Sequence, residues 1–189
     1  IITGELVPNA DKILSLYDAD VNVIKRGKSN AEVEFGNELF IAEQADGLIM
    51  DWKLHRDQPP ADTGKLPKSL ERLESKAVTV KGVASDRGFH SASNAELLAA
   101  KGIRSALCPK SPADLREAME DETFPRMQRR RAQTEGRIAI LKNGFTGNPA
   151  LSRVFKYREC QVAWAILTHN LWVVARLPRS GDGELSEAA

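Results

Sequence analysis

Arg126-Met-Gln-Arg-Arg-Arg-Ala-Gln-Thr-Glu135-Gly-Arg-Ile-Ala-Ile-Leu-Lys142 is the stretch on which the reading of this chain turns. It predicts one helix. Pro125 suits the first turn, where a missing N–H costs nothing. Asn143-Gly144 predicts the stop, because that pair accepts left-handed geometry. Steps of three and four return to one face of a helix, so Arg131, Glu135, Ile138 and Lys142 share a stripe. The stripe holds a single carboxylate among cations. Such an acid can hold a divalent metal against a phosphate. The plainer alternative is a solvated helix with an Arg131–Glu135 ion pair one turn apart.

Charge is segregated around this stretch. The whole chain carries +1. Between Arg126 and Glu159, nine Lys or Arg stand against two acids, Glu135 and Glu159, a balance of +7 that leaves −6 elsewhere. A basic face on an acidic body suits a polyanion; a solvated helix surface is the alternative. The 189 residues, 42% of them hydrophobic and 28% charged, suffice for one domain with its own core. Cys108 and Cys160 show no metal-ligand spacing and require no disulfide, so the expected compartment is a reducing cytoplasm. There is no signal peptide. The most apolar run, Val162 to Ala175, is broken by Thr168-His169-Asn170 and is too short to span a membrane. The chain begins with Ile1 rather than Met, which reads as a fragment of a longer protein or a processed product.

Taken in order, Lys12 to Asp18 reads as a short strand, Val21 to Ile24 as a second, and Lys25 to Glu32 as a polar loop. Phe35 to Gln44 and Leu48 to His55 flank Ala45-Asp46-Gly47, a hairpin signal. In the second arm Leu48, Met50, Trp52 and Leu54 alternate with Ile49, Asp51 and Lys53, a one-sided strand pattern. Asp62 is placed to cap a helix carrying Leu66, Leu70 and Leu73. Lys76 to Ala84 predicts a strand ending in Ser85-Asp86-Arg87-Gly88-Phe89. Ser93-Asn-Ala-Glu96 reads as a capping box opening a helix that Gly102 closes. Ile103 to Cys108 is a further strand. Ser111-Pro112-Ala-Asp114 opens a short helix, and the basic helix follows. A Gly/Pro loop, Gly144 to Pro149, leads to a last helix over 153–176, on which Trp164 and Trp172 are expected in the core with Trp52. His90 reads as an exposed loop residue, and His55 and His169 suggest no zinc site. The expectation is a domain over 1–176 with a disordered tail over 177–189. It is an α/β mixed sheet, an antiparallel hairpin plus parallel strands, flanked by helices.

Sites in open α/β sheets form at the carboxyl edge of strands, and Asp86 sits at such an end. Two distant carboxylates, Asp86 and Glu135, can share a metal pair that clamps the attacking and leaving oxygens of a phosphodiester. An Asp-Xaa-Gly after a strand is equally a plain turn. Ser85-Asp86-Arg87-Gly88-Phe89 followed by Arg131-Xaa3-Glu135-Xaa6-Lys142 resembles the second and third acidic regions of DDE transposases of bacterial insertion sequences. Lys25-Arg-Gly-Lys28, Glu34-Phe-Gly36 and Pro60-Ala-Asp62 resemble the stretch between the first and second acids in one branch of that family. The resemblance runs from about residue 13 to residue 175.

It implies a ribonuclease-H-like catalytic domain that cleaves and rejoins double-stranded DNA, at transposon ends and target, with Mg²⁺ or Mn²⁺. Asp86 would be the second acid and Glu135 the third, both metal ligands. Arg131 and Lys142 would hold phosphates near the cleavage point. Arg129, Arg130 and Arg131 span about 200° of a helix and cannot all meet one phosphate, so Arg130 and Arg137 are assigned to a neighbouring stripe on the DNA backbone. The family's pattern often carries Tyr where this chain has Gln128. In the branch resembled, the first acid ends a strand upstream of anything here, so the first strand is expected to be missing and the fragment inactive alone. Asp18 is the internal rival for the first acid, against a reading of Tyr-Asp-Ala-Asp20 as a turn. The resemblance leaves room for a homo-oligomer. A catalytically dead DNA-binding remnant and an unrelated α/β protein-interaction domain are the alternatives.

Overall fold

The computed structural model describes residue 18 and residues 20–28, 31–147 and 152–177. The expected strand over 12–18 lies outside these residues except for Asp18, and the expected tail lies outside them except for Leu177. The described elements are β1 (Asn22–Lys28), β2 (Ala31–Gly36), β3 (Leu39–Glu43), β4 (Ile49–Leu54), α1 (Asp62–Ser75), β5 (Gly82–Ser85), α2 (Ala92–Ala100), β6 (Arg104–Leu107), α3 (Pro112–Ala118), α4 (Thr123–Ile140) and α5 (Phe155–Val174). The class is mixed α/β. The described strands do not merge into one mixed sheet. They form three two-stranded sheets: antiparallel β1–β2, antiparallel β3–β4 and parallel β5–β6.

The hairpin forms around Ala45-Asp46-Gly47. Leu39 pairs with Leu54 and Ile41 with Trp52, and Gly47 takes φ +90°, which its missing Cβ permits. Residues 25–32 are a correction: they lie mostly in β1 and β2, paired from Asn22–Gly36 to Lys28–Ala31. Cross-strand pairing there overrides a polar composition. The one-sided pattern of β4 is also corrected. Asp51 is buried, 1% exposed, beside buried Ile49. Ser69 Oγ donates to its carboxylate at 2.7 Å, and Arg72 binds it through Nε at 2.9 Å and Nη2 at 2.6 Å. Burial pushes Asp51 up; the Arg72 and Ser69 hydrogen bonds overcome it and hold the carboxyl below its usual range.

Two apolar clusters result. Ile49, Leu54, Leu141, Val162, Ala165 and Ile166 join the hairpin to α5. Leu66, Leu70, Leu98, Ile103 and Leu107 join α1 and α2 to the parallel pair. The Asp51–Arg72 pair ties β4 to α1, and Asn170 of α5 satisfies both backbone groups of Ile49 at 2.9 Å.

Several local expectations shift. The strand expected over 76–84 is confined to Gly82–Ser85, after a turn in which Ala77 takes φ +57°. Asp62 begins α1 without capping it. Ser91, rather than Ser93, caps α2, accepting from Asn94 N at 3.2 Å. Ser111 caps α3 with Pro112 in its first turn, as expected. α4 starts three residues before Arg126 and does not stop at Asn143-Gly144. It runs on through a π-turn, Leu141–Thr146, and ends at Gly147, φ +78°. Burial of Leu141 and Thr146 pulls the chain through that wider turn. Trp164 is exposed, not core, because α5 turns it away from the hairpin. Trp172 faces inward, edge-on to Phe145 at 6.3 Å, and Trp52 lies against the first cluster.

Candidate functional site

The turn after β5 is built from its own residues. Asp86 is extended, and its Oδ1 accepts from Gly88 N at 3.0 Å, capping the short 3₁₀ turn Arg87–Phe89. Asn94 is buried and locks this turn to α1, donating to Phe89 O at 2.8 Å and to Thr63 O at 3.0 Å. The Phe89 ring packs on Phe40 of β3, with centroids 6.1 Å apart. Asp86 itself remains exposed at the carboxyl edge of the parallel pair, where the sequence placed it. His90 is half-buried rather than exposed.

Asp62 is the residue that sequence reasoning missed as a site group. Its Oδ2 and the Oδ1 of Asp86 both crowd the point where a Cβ on Gly88 would stand, the farther at 3.1 Å. The two oxygens therefore lie within roughly 6 Å of each other, within the span of ligands to a divalent ion pair. A side chain at this position would have to push the Asp62 carboxylate aside. The available signal was Pro60-Ala-Asp62, which places an acid at the start of a helix without showing what it meets. Lys65 steadies Asp62: its Nζ, nearly buried, meets Asp62 Oδ1 at 2.6 Å and also Glu38. Burial works against the Lys65 charge, and the two carboxylates outweigh it, raising its pKa.

Across from these acids runs α4. Gln128 Nε2 donates to Ser85 O at 3.0 Å and to Ala106 O at 2.5 Å, fastening the helix to the ends of β5 and β6. Arg131 Nε donates to Gln128 Oε1 at 3.1 Å. Arg131 thus lines one open cleft of about 550 Å³ with Asp62, Asp86, Arg87, Gly88 and Cys108. The alternative Arg131–Glu135 ion pair does not form. Glu135 stands one turn beyond Arg131, exposed, outside the lining of the cleft. Lys142 is exposed in the π-turn.

Arg130 and Arg137, assigned to a DNA-facing stripe, reach the β3–β4 hairpin. Arg130 donates to Ala45 O, and Arg137 meets Glu43 at 3.3 Å beside Thr134, whose hydroxyl binds the same carboxylate at 2.8 Å. Arg126 and Arg129 remain exposed and line a second recess with Glu122, Thr123 and Pro125.

Asp18 lies elsewhere. Its Oδ1 accepts from Asp20 N at 3.1 Å, the turn of the alternative reading, and its Oδ2 pairs with Arg158. Asp20 meets Arg56 at 2.8 Å and accepts from Phe155 N at 3.4 Å, at the start of α5. The Arg56 hydrogen bond holds its carboxyl below the usual range. These acids anchor α5. Among the described residues no three His, Cys, Asp or Glu gather closely enough to hold one metal ion, and no helix is long and apolar enough to cross a membrane. No protein-family model matches this sequence, and neither the curated proteins nor the solved structures hold a significant match to it.

Proposed function

We propose that this chain is the C-terminal part of a DDE transposase catalytic domain of ribonuclease-H-like architecture, acting on double-stranded DNA by metal-assisted phosphoryl transfer. One observation carries the proposal: Asp86 and Asp62 converge on Gly88 in an open cleft that Arg131 and Arg87 also line. The donor set fits Mg²⁺ or Mn²⁺, since hard cations take carboxylate oxygens. Asp86 and Asp62 would hold the ion, while Glu135, the third acid that the resemblance implies, stands exposed outside the lining of the cleft. When bound, the ion supplies Lewis-acid polarisation and an activated water. Arg131 commits only Nε to Gln128 among the described residues, so its remaining N–H donors are free to fork onto a phosphate. Arg126 and Arg129, exposed on the same helix, extend the cationic surface along the duplex.

A second reading is a DNA-binding remnant without chemistry. The absence of a three-acid group among the described residues favours it. Duplex affinity across a salt series, followed by fluorescence anisotropy, tests the DNA reading common to both. Arg131→Ala is expected to reduce the slope of log K against log salt by about 0.9, one phosphate contact. No affinity even at low salt would discard both readings and leave a protein-interaction domain.

A further inference from the structure

α5 turns one side inward, burying Val162, Ala165, Ile166, His169 and Val173. Its opposite side is apolar and open. Tyr157, Cys160, Trp164, Leu167, Leu171 and Val174 are all exposed, with Tyr157 at 67%, Trp164 at 64% and Leu171 at 62%. Successive members are three, four, three, four and three residues apart. That is the a/d spacing of a heptad seam. Scattered exposed apolar residues are ordinary. Six in unbroken register along a whole helix form a contiguous patch of the kind that marks an interface. Beside the seam only Lys156 is charged; Gln161, Ala163, Thr168 and Ala175 are neutral.

We infer that this seam pairs two copies of the chain, α5 lying antiparallel to α5 of a second copy about a two-fold axis near Ala165 and Ile166. A closed two-fold interface needs a self-complementary surface, and the seam has that property in one orientation. Antiparallel pairing sets Trp164 against Leu167 of the second copy, Tyr157 against Val174, and Cys160 against Leu171. Each layer joins a larger side chain to a smaller one, which keeps the layers even in volume. Parallel pairing would stack Trp164 on Trp164 and Cys160 on Cys160, alternating overfilled and thin layers, and would bring the basic ends at Arg153 and Lys156 together. Antiparallel pairing separates those ends and opposes the helix dipoles favourably. The six side chains offer on the order of 600 Å² per copy, close to the roughly 800 Å² a standard interface buries on each partner. The small flanking residues and the Lys156 stem supply much of the remainder. The inference does not depend on the chemistry of the cleft.

Sedimentation equilibrium of the 189-residue chain under reducing conditions, from about 1 to about 100 μM, spans the range in which such an interface should dissociate. A monomer–dimer equilibrium is expected. Trp164→Glu and Leu171→Glu should each raise its dissociation constant at least about tenfold, with the circular dichroism unchanged because neither side chain is in the core. Orientation is read by cross-linking on a Cys108→Ser background. Adding Leu171→Cys should give a covalent dimer through Cys160 on mild oxidation, and the background alone should not. A monomer at every concentration, a dimer indifferent to both glutamates, or a covalent dimer through Cys160 alone would overturn the inference.

Discussion

Replacing Gln128 by Met should loosen the joint that sets Arg131 over the Asp86 turn. Gln128 carries three hydrogen bonds: to Ser85 O at 3.0 Å, to Ala106 O at 2.5 Å, and from Arg131 Nε at 3.1 Å. Met keeps the length and apolar stem, so packing is nearly conserved. Ser85 O keeps the Cys108 N–H at 3.2 Å, which limits its loss. Ala106 is fully buried, and its carbonyl lies in the parallel ladder opposite Ala84, so it too keeps a backbone partner. At about 1 kcal/mol per lost bond the total is about 2–3 kcal/mol. For a chain of this size that lowers Tm by roughly 4–12 °C. Gln128→Glu separates the two roles. It removes both donor bonds and sets a carboxylate against two carbonyl oxygens, yet gives Arg131 a charged acceptor. It should melt at least as early as the Met variant but keep more of the Arg131 contribution to DNA binding. Calorimetry and the anisotropy salt series read the two effects. A Gln128→Met protein melting within about 1 °C of the parent would refute the proposed joint.

The remaining predictions concern other parts of the molecule. Arg72→Met strands the Asp51 carboxylate, which is 1% exposed, and should cost about 3 kcal/mol by denaturant titration; Asp51→Asn should cost less, because half-exposed Arg72 can turn to water. Burial lowers the pKa of His169 and of His55, each with an unpartnered Nε2. Their folded pKa values lie below the unfolded value, so their contribution is complete above about pH 6.5 and is lost as pH falls below it. Stability, and Tm with it, should therefore fall between pH 7 and 5, by at most about 1.4 kcal/mol per pH unit for each ring; the stabilisation from Asp51 and Asp20, whose pKa values are lowered from 3.8, is complete above that value and stays constant over this range. His169→Gln should flatten that slope, and an unchanged slope would count against the assignment. The chain alone should show no strand transfer on DNA in Mn²⁺, since losing one member of a cooperative site removes most activity; robust joining products would contradict this.

Elements with strong local signals were legible. Leu66, Leu70 and Leu73 mark α1, Ser111-Pro112 marks α3, and Asp46-Gly47 marks the hairpin. Elements decided by partners were not. β1 and β2 carry a loop-like composition and exist through cross-strand pairing. The stop at Asn143-Gly144 was overridden because Leu141 and Thr146 are drawn into the interior. Asp51 looked like the polar side of a strand because its partners, Ser69 and Arg72, lie on α1. At the site, Asp86 and Arg131 were legible from a turn and a helical spacing. Asp62 was not, since its approach to Asp86 depends on the α1 start meeting the Gly88 turn. Trp164 misled because aromatic spacing on a helix marks a face without saying whether that face is covered.

Water-proton relaxation in a Mn²⁺ titration tests the central claim most directly, because it reports metal held in the cleft whether or not DNA is cut. The account predicts saturable binding, displaced by Mg²⁺ and weakened at least about tenfold by Asp86→Asn and by Asp62→Asn, as expected when a carboxylate ligand is lost. Equal Mn²⁺ binding by the parent and both variants, or none by the parent, would contradict it.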